Sequence, residues 1–359
     1  MTAAPRILAI TTQRNEGAVL PEWLAHHRAV GITDFLIFSN DCDDGSDGML
    51  ARAAERGWLT HVPQQGPFEE GPQWAALKAA ARHPAMADAD WVIVLDVDEF
   101  VNVHVGDHTL GALIEAMPGA DAIALTWRLF GNCGVVSRQG RAVTDSFTRA
   151  APAGMLWPWR ASLFKTLWRR GGAYRKPGVH RPRGLVPGAP TPRWVDGSGR
   201  DLPARFVREG IFTPPDRPVW DMVQLNHYAL GAMEDYILKC DRGRANREAD
   251  SFDMSYWVER NFCVEEDRSI AATAAARQRE LGLLMSDPEF ADLARAAAVW
   301  RQERFAALML EEKWRALWGR LVLAPPSRPL PPQAAAQILA WGQRAIAAQS
   351  ATKGQTGRD

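Results

Sequence analysis

Three carboxylates in four residues, Asp96-Val97-Asp98-Glu99, follow directly on the apolar run Trp91-Val92-Ile93-Val94-Leu95. Negative charge set against a core is costly unless a cation or hydrogen bonds compensate it. On an extended segment alternate residues point the same way, so Asp96 and Asp98 are expected to address one ligand while Val97 faces the core. Hard oxygen donors of this kind suit Mg²⁺ or Mn²⁺, and such an ion would neutralise the diphosphate that leaves a sugar nucleotide. Taken alone the tripeptide reads first as a solvated loop. The buried strand before it is what favours a metal site with Asp96 and Asp98 as ligands.

Other chemistry-bearing residues lie far along the chain. In Val223-Gln224-Leu225-Asn226-His227-Tyr228 the alternation predicts a strand with Gln224, Asn226 and Tyr228 on one face and Leu225 and His227 on the other. His227 is then either a packed core residue or a further metal ligand, since imidazole suits Mn²⁺. The helical stretch 231–246 carries Lys239 and Arg242 three apart on one face, followed by Arg244 and Arg247; it is either a solvated basic face or a contact for a diphosphate. Inverting group transfer needs a carboxylate as general base. Asp145, Asp221, Glu266 and Asp267 are candidates beside Glu69, Glu70 and Glu265, each of which equally reads as an ordinary surface acid. Trp127, Trp157, Trp159, Trp168 and Trp194, out of 15 tryptophans, could stack on sugar rings, although core packing is the commoner use. His180 could line an acceptor cleft or cap a turn.

These side chains need a scaffold, and the first 130 residues supply one by alternating strand and helix. Ile7-Leu8-Ala9-Ile10, Asp34-Phe35-Leu36-Ile37-Phe38, the segment 59–62 and Trp91-Val92-Ile93-Val94-Leu95 read as strands, with helices predicted over 19–30, 49–56 and 73–82. That order implies a mostly parallel central sheet flanked by helices. Ligands bind such sheets at the carboxyl ends of the strands. Thr11-Thr12-Gln13-Arg14-Asn15-Glu16, Ser39-Asn40-Asp41-Cys42-Asp43-Asp44-Gly45-Ser46 and Asp96-Val97-Asp98-Glu99 are predicted to share one rim. A further strand is expected over 122–127. The stretch 151–218, rich in Pro, Gly, Arg and Trp, has no sustained period and is expected to be largely irregular. Amphipathic helices are expected over 288–323, and a frayed tail from about residue 350.

The chain has 359 residues, with 42 Lys and Arg against 42 Asp and Glu, so no basic field points to nucleic acid. No apolar run is long enough to span a bilayer and the N-terminus lacks the form of a signal peptide. Cys42, Cys133, Cys240 and Cys263 are widely spaced with no Cys-x-x-Cys pair, so reduced thiols are expected. The resulting expectation is a cytoplasmic protein, compatible with peripheral contact at the inner face of a membrane.

Taken together, Arg14-Asn15-Glu16, Asn40-Asp41, Asp44-Gly45-Ser46-Asp47-Gly48, Leu95-Asp96-Val97-Asp98-Glu99-Phe100 and Gln224-Leu225-Asn226-His227-Tyr228-Ala229-Leu230 resemble the glycosyltransferase family 2-like group related to family 92. The likeness covers about residues 7–269. It implies an α/β fold of the GT-A type: residues 1–270 as the transferase domain, with 1–130 the nucleotide-binding half and 131–270 the acceptor half, then a helical extension over 271–349 and a tail over 350–359. It also implies that Thr12, Glu16 and Asp41 contact the nucleoside, with Arg14 and Asn40 counted in the nucleotide-sugar site, and that Asp96 and Asp98 hold the metal and diphosphate. His227 would complete the ion's shell, and Lys239 and Arg242, in a Lys-x-x-Arg-Gly run, would contact phosphate. Cys42 stands where the group usually has a small polar residue. The implied reaction is metal-dependent transfer of a sugar, with inversion, from a nucleoside-diphosphate sugar, first of all a UDP-sugar, to a glycan or lipid-linked acceptor. Two alternatives stay open. A nucleotidyltransferase or hydrolase could use the same fold, although 11–17 lacks the Gly-rich basic loop that cradles a triphosphate. A non-catalytic binding module could carry a degenerate site, although Asp96, Asp98 and Glu99 are intact.

Overall fold

A computed structural model describes residues 4–214, 217–243 and 252–355; Arg244 and Arg247 lie outside the described residues. The first four strands, β1 (Ile7–Gln13), β2 (Asp34–Asn40), β3 (Thr60–Gln64) and β4 (Trp91–Val94), pair in parallel in the order β3-β2-β1-β4. Helices α1 (Leu20–Ala29), α2 (Ser46–Glu55) and α3 (Pro72–Ala80) connect them. The inner strands read as continuous apolar runs because both of their faces are covered. Ile7, Ala9, Ile37 and Ile93 join one apolar layer with Trp23 of α1, while Leu8, Ile10, Leu36, Phe38 and Val92 join the other with Leu77 of α3.

The sheet continues through β5 (Glu99–Val103), β6 (Ala122–Leu129), β7 (Phe164–Arg169), β8 (Trp194–Asp196) and β9 (Val223–His227). Nine strands are joined: β7 inserts antiparallel between β4 and β6, β9 and β8 run parallel to β6, and β5 pairs antiparallel with β9 at the far edge. The sheet is thus mostly parallel and flanked by helices, as expected. The irregular reading of 151–218 is corrected here. That stretch contains β7, β8 and a small hairpin, Tyr174–Lys176 with Arg183–Leu185. β7 escapes a pattern reading because a lysine is the second residue of a strand buried on both faces; Lys165 is 0% exposed.

The cysteine expectation is also corrected. Cys133 and Cys263 form a disulfide with Cα atoms 5.8 Å apart, across 130 residues of sequence, whereas Cys42 and Cys240 are free thiols. The loop after β6 and the segment before residues 265–266 are brought side by side by tertiary structure, which spacing along the chain cannot reveal. The helices α4 (Met233–Arg242), α5 (Ala274–Met285), α6 (Pro288–Leu308), α7 (Glu312–Leu323) and α8 (Pro332–Gln355) follow. α5 packs on α1 and is tied to it by Arg28–Glu280 at 2.7 Å, and α6 packs on α2, where Asp287 caps its first turn and pairs with Arg52. α8 runs through residues 350–355, part of the expected frayed tail, and residues 356–359 lie outside those described. Among the described residues no helix is long and apolar enough to cross a membrane.

Candidate functional site

The chain leaves β4 at Val94 and reverses at once, because Asp96–Glu99 closes a turn in which the Glu99 N–H donates to the Asp96 carbonyl at 3.0 Å. Trp23, on α1, braces the turn from below: its indole N–H donates to the carbonyls of Asp96 (3.1 Å) and Glu99 (3.0 Å). Alternation along an extended strand therefore ends at Leu95, and the two carboxylates take different partners. Asp96 accepts from Gln73 Nε2 at 3.1 Å and from Lys165 Nζ at 2.8 Å. Glu99, wholly buried, accepts from Trp127 Nε1 at 2.7 Å and from the Asp96 N–H at 2.9 Å, and lies 3.5 Å from Lys165 Nζ. Burial raises the Glu99 carboxyl, and Lys165 works against that rise. Every neighbour hydrogen-bonded to it is a donor, which is the surrounding of a carboxylate. Burial also works against the charge on Lys165, but Asp96 and Glu99 outweigh it and hold the ammonium above its usual value.

Asp98 points the other way, into an open cleft of about 710 Å³. Its Oδ2 accepts from Lys239 Nζ at 2.7 Å and its Oδ1 lies 3.6 Å from His227 Nε2. Burial would raise this carboxyl, yet Lys239 and His227 hold it well below the usual range. β9 delivers His227 by pairing it with Glu99, and the Tyr228 N–H donates to the Asp98 carbonyl at 2.9 Å. The alternation predicted for β9 is present: Gln224 donates to Asn226, and Asn226 donates to the Tyr228 hydroxyl, along the opposite face. His227 packs its ring 4.1 Å from that of Trp127, burial lowers its pKa, and its Nδ1 has no partner. A neutral imidazole directly behind a cleft-lining carboxylate is a donor pair that suits Mn²⁺ or Mg²⁺. Among the described residues no group of three or more His, Cys, Asp or Glu is gathered as a metal site.

Asn15 and Glu16, after the carboxyl end of β1, also line this cleft. Arg242, from the last turn of α4, meets the Glu16 carboxylate and donates to the Arg14 carbonyl at 3.0 Å; Arg14 Nε donates to the Asp41 carbonyl at 3.2 Å. Burial lowers the Arg242 pKa to about 10. Asp41 takes a left-handed backbone (φ 48°) and its side chain accepts from Asn40 Nδ2 at 3.0 Å. Thr12 is half-buried near the end of β1. Glu16, Asp98, Lys239 and Arg242 thus line one cleft, with His227 behind Asp98, and Arg14 links Arg242 to the Asn40-Asp41 loop. Asp44 clamps the two loops, accepting from the N–H groups of Gly17 (2.8 Å) and Ser46 (3.0 Å). A side chain at Gly17 would meet Ala297 of α6 at 2.8 Å.

The general-base candidates are not gathered at this cleft. Asp145 is exposed and pairs with Arg277 at 3.2 Å, and Glu266 pairs with Arg268 at 2.6 Å. Asp221 is exposed before β9, and Asp267 caps the turn at Ser269 while accepting from Gln224 at 2.8 Å. Trp168 and Trp194 are core residues. His180 binds the Phe164 carbonyl through Nδ1 at 3.0 Å, with its ring 5.9 Å from that of Trp127, and burial lowers its pKa to about 4. Beyond Trp127 lies a second cavity of about 370 Å³, lined in part by Trp220, Arg217, Met155 and Thr213. The residues that sequence reasoning missed are Trp23, Gln73 and Lys165. For Lys165 the sequence carries no signal, since the lysine interrupts the apolar residues Phe164, Leu167 and Trp168 of its strand.

A mostly parallel sheet with an acidic turn and polar loops at its strand ends is the architecture of a nucleotide-binding α/β protein. Sequence comparison narrows the class to glycosyltransferase-like proteins. Over 151 residues, 40% of this chain, it is 26% identical to a glycosyltransferase family 92 protein of Ricinus communis, covering 26% of that protein. Over 144 residues, 38% of the chain, it is 26% identical to a family 92 protein of Oryza sativa subsp. japonica, covering 24% of it. The chain spans about a quarter of the length of the curated relatives it matches. No family model matches it. Among solved structures it overlaps TarS of S. aureus in complex with UDP (14% identity, 46% of this chain and 47% of that one, TM-score 0.29). It also overlaps glucosyl-3-phosphoglycerate synthase of Mycobacterium tuberculosis in complex with Mn²⁺, UDP and glucosyl-3-phosphoglycerate (17%, 47% and 58%, TM-score 0.26).

Proposed function

We propose that this chain is a glycosyltransferase of the GT-A type that takes a sugar from a nucleoside-diphosphate donor, a UDP-sugar first of all, and transfers it with inversion to a glycan or lipid-linked acceptor. The observation that carries this reading is a cleft lined by Asp98, Lys239, Glu16 and Arg242, with His227 buried behind Asp98 at 3.6 Å. Asp98 and His227 would hold Mn²⁺ or Mg²⁺, and the ion when bound would neutralise charge on the departing diphosphate. Lys239, fixed between Asp98 and the Ala229 carbonyl at 2.7 Å each, offers a cation preorganised for phosphate oxygens. Arg242 offers a second from the same helix. Arg14, Glu16, Asn40 and Asp41 supply polar contacts for the nucleoside, with Thr12 behind them. The cavity beyond Trp127 is suited to the acceptor, since indole faces stack on sugar rings. In this reading residues 1–270 carry the chemistry and 271–349 buttress it.

Thermal unfolding with a panel of UDP- and GDP-sugars, with and without Mn²⁺, tests the proposal. At about a hundredfold excess over Kd the correct donor stabilises the protein by about 2.7 kcal/mol. Asp98→Asn is expected to remove the metal-dependent part of that gain and the metal-dependent donor hydrolysis. If no donor shifts the wild-type transition and none is turned over, the transferase reading is wrong.

A further inference from the structure

We infer that the C-terminal segment beginning at Lys313 is a docking surface for an anionic lipid bilayer. In a chain balanced overall, the 46 residues from Lys313 to Arg358 hold seven Lys or Arg and no Asp or Glu. Charge is therefore segregated along the chain, and Arg320, Arg328 and Arg344, on or between the last two helices, are exposed. α7 packs on α4 by its inner stripe, Trp314, Leu317, Trp318 and Leu321, the spacing of one helix face. Its outward positions are unusual for a protein surface: Val322 and Leu323 are exposed, Leu323 at 82%, and beside them Arg320 has no carboxylate partner among the described residues. The proline-rich link to α8 is pinned by Ser327, whose N–H donates to the Asn261 carbonyl at 2.7 Å and whose hydroxyl donates to the Val258 carbonyl at 2.6 Å. From that fixed link Arg328 and Leu330 reach solvent, and on α8 Trp341, 58% exposed, and Arg344 do the same. Arg328 and Arg344 likewise have no carboxylate partner among the described residues, whereas Lys313 and Arg315 pair with Glu311 and Glu312.

The combination selects the occupant. Cations alone would suit any polyanion, but nucleic acid has no use for exposed leucine and valine side chains, whereas a bilayer takes aliphatic groups and tryptophan into its interface while its anionic headgroups meet arginine. A cation near an anionic surface contributes about fivefold in partitioning, so three unpaired arginines give on the order of a hundredfold. This inference stands on the segment alone and does not rest on the proposed chemistry.

Co-sedimentation of the full chain with vesicles of phosphatidylcholine, alone or mixed with phosphatidylglycerol, tests it. Binding is expected to the mixed vesicles only and to weaken with added salt. The triple variant Arg320→Gln, Arg328→Gln, Arg344→Gln is expected to bind about a hundredfold more weakly. The pair Leu323→Ser, Trp341→Ser is expected to reduce binding too while thermal unfolding stays unchanged, which a purely electrostatic contact would not show. The inference is overturned if mixed vesicles do not sediment the protein, if the triple variant binds them undiminished, or if duplex DNA is bound and vesicles are not.

Discussion

Lys165→Met tests whether the acidic turn is held together by its internal cation. The ammonium is wholly buried, 2.8 Å from Asp96 and 3.5 Å from Glu99. Removing one partner of a buried ion pair costs about 3–5 kcal/mol, because the remaining charge stays buried and unpaired. Two features put this site at the low end. The Asp96 side chain keeps 38% exposure, so water can replace the lost partner. Glu99, whose carboxyl burial raises, can take up a proton once Lys165 no longer opposes that rise, instead of remaining a bare charge. A cost of about 3 kcal/mol, set against an unfolding entropy of about 0.75 kcal/mol/K for a chain of this length, lowers Tm by about 4 °C.

The companion variant makes the reasoning refutable. Glu99→Gln turns an oxygen acceptor into an N–H donor that faces Lys165 or one of the two N–H groups Glu99 now accepts, so it destabilises by itself. In the double variant the methionine no longer opposes that amide and no buried carboxylate is left at position 99. The two costs should then fall short of additivity by about 1–3 kcal/mol. Urea unfolding of the four proteins at one pH measures this. Strict additivity, or an unchanged Tm for Lys165→Met, would refute the claim that Lys165 and Glu99 form one electrostatic unit under the turn.

Two further outcomes follow from the same structure. Asp235 sits between Arg301 and Arg138 and accepts the Ala232 N–H at 2.9 Å; burial would raise its carboxyl, but the two arginines hold it well below the usual range. Its stabilisation is then complete above the unfolded value and is lost as pH falls toward the folded one. The Tm gap between wild type and Asp235→Asn should be widest near neutrality and shrink on acidification below about pH 4, and a gap independent of pH would count against the ion pairs. The Cys133–Cys263 disulfide closes a long loop, so Cys133→Ser should cost about 2–5 kcal/mol. Thiol titration of the denatured, unreduced protein should find only Cys42 and Cys240, and four reactive thiols would contradict the pairing.

Reading the sequence recovers the scaffold well where burial leaves a continuous apolar run, as at β1, β2 and β4, because strands covered on both faces need no polar alternation. It recovers β9 for the opposite reason: Gln224, Asn226 and Tyr228 alternate strictly with Leu225 and His227, and so the histidine is presented toward Asp98. It fails at β7, where a central strand contains a lysine, and at the acidic turn, where the direction of each carboxylate depends on one turn hydrogen bond and on the Trp23 indole from another element. These failures share a cause. Three carboxylates crowded at a strand end demand compensation, and the local sequence shows only the negative half. The positive half arrives from 69 residues away as Lys165, which is bound to Asp96, and from 141 residues away as Lys239, which is bound to Asp98. A buried lysine in a strand and a lysine on a basic helix look unrelated along the chain. The sheet order, with β7 inserted beside β4, and the packing of α4 over the strand ends are what turn them into a divided counter-charge. That division leaves Asp98, not Asp96, as the carboxylate that borders the cleft.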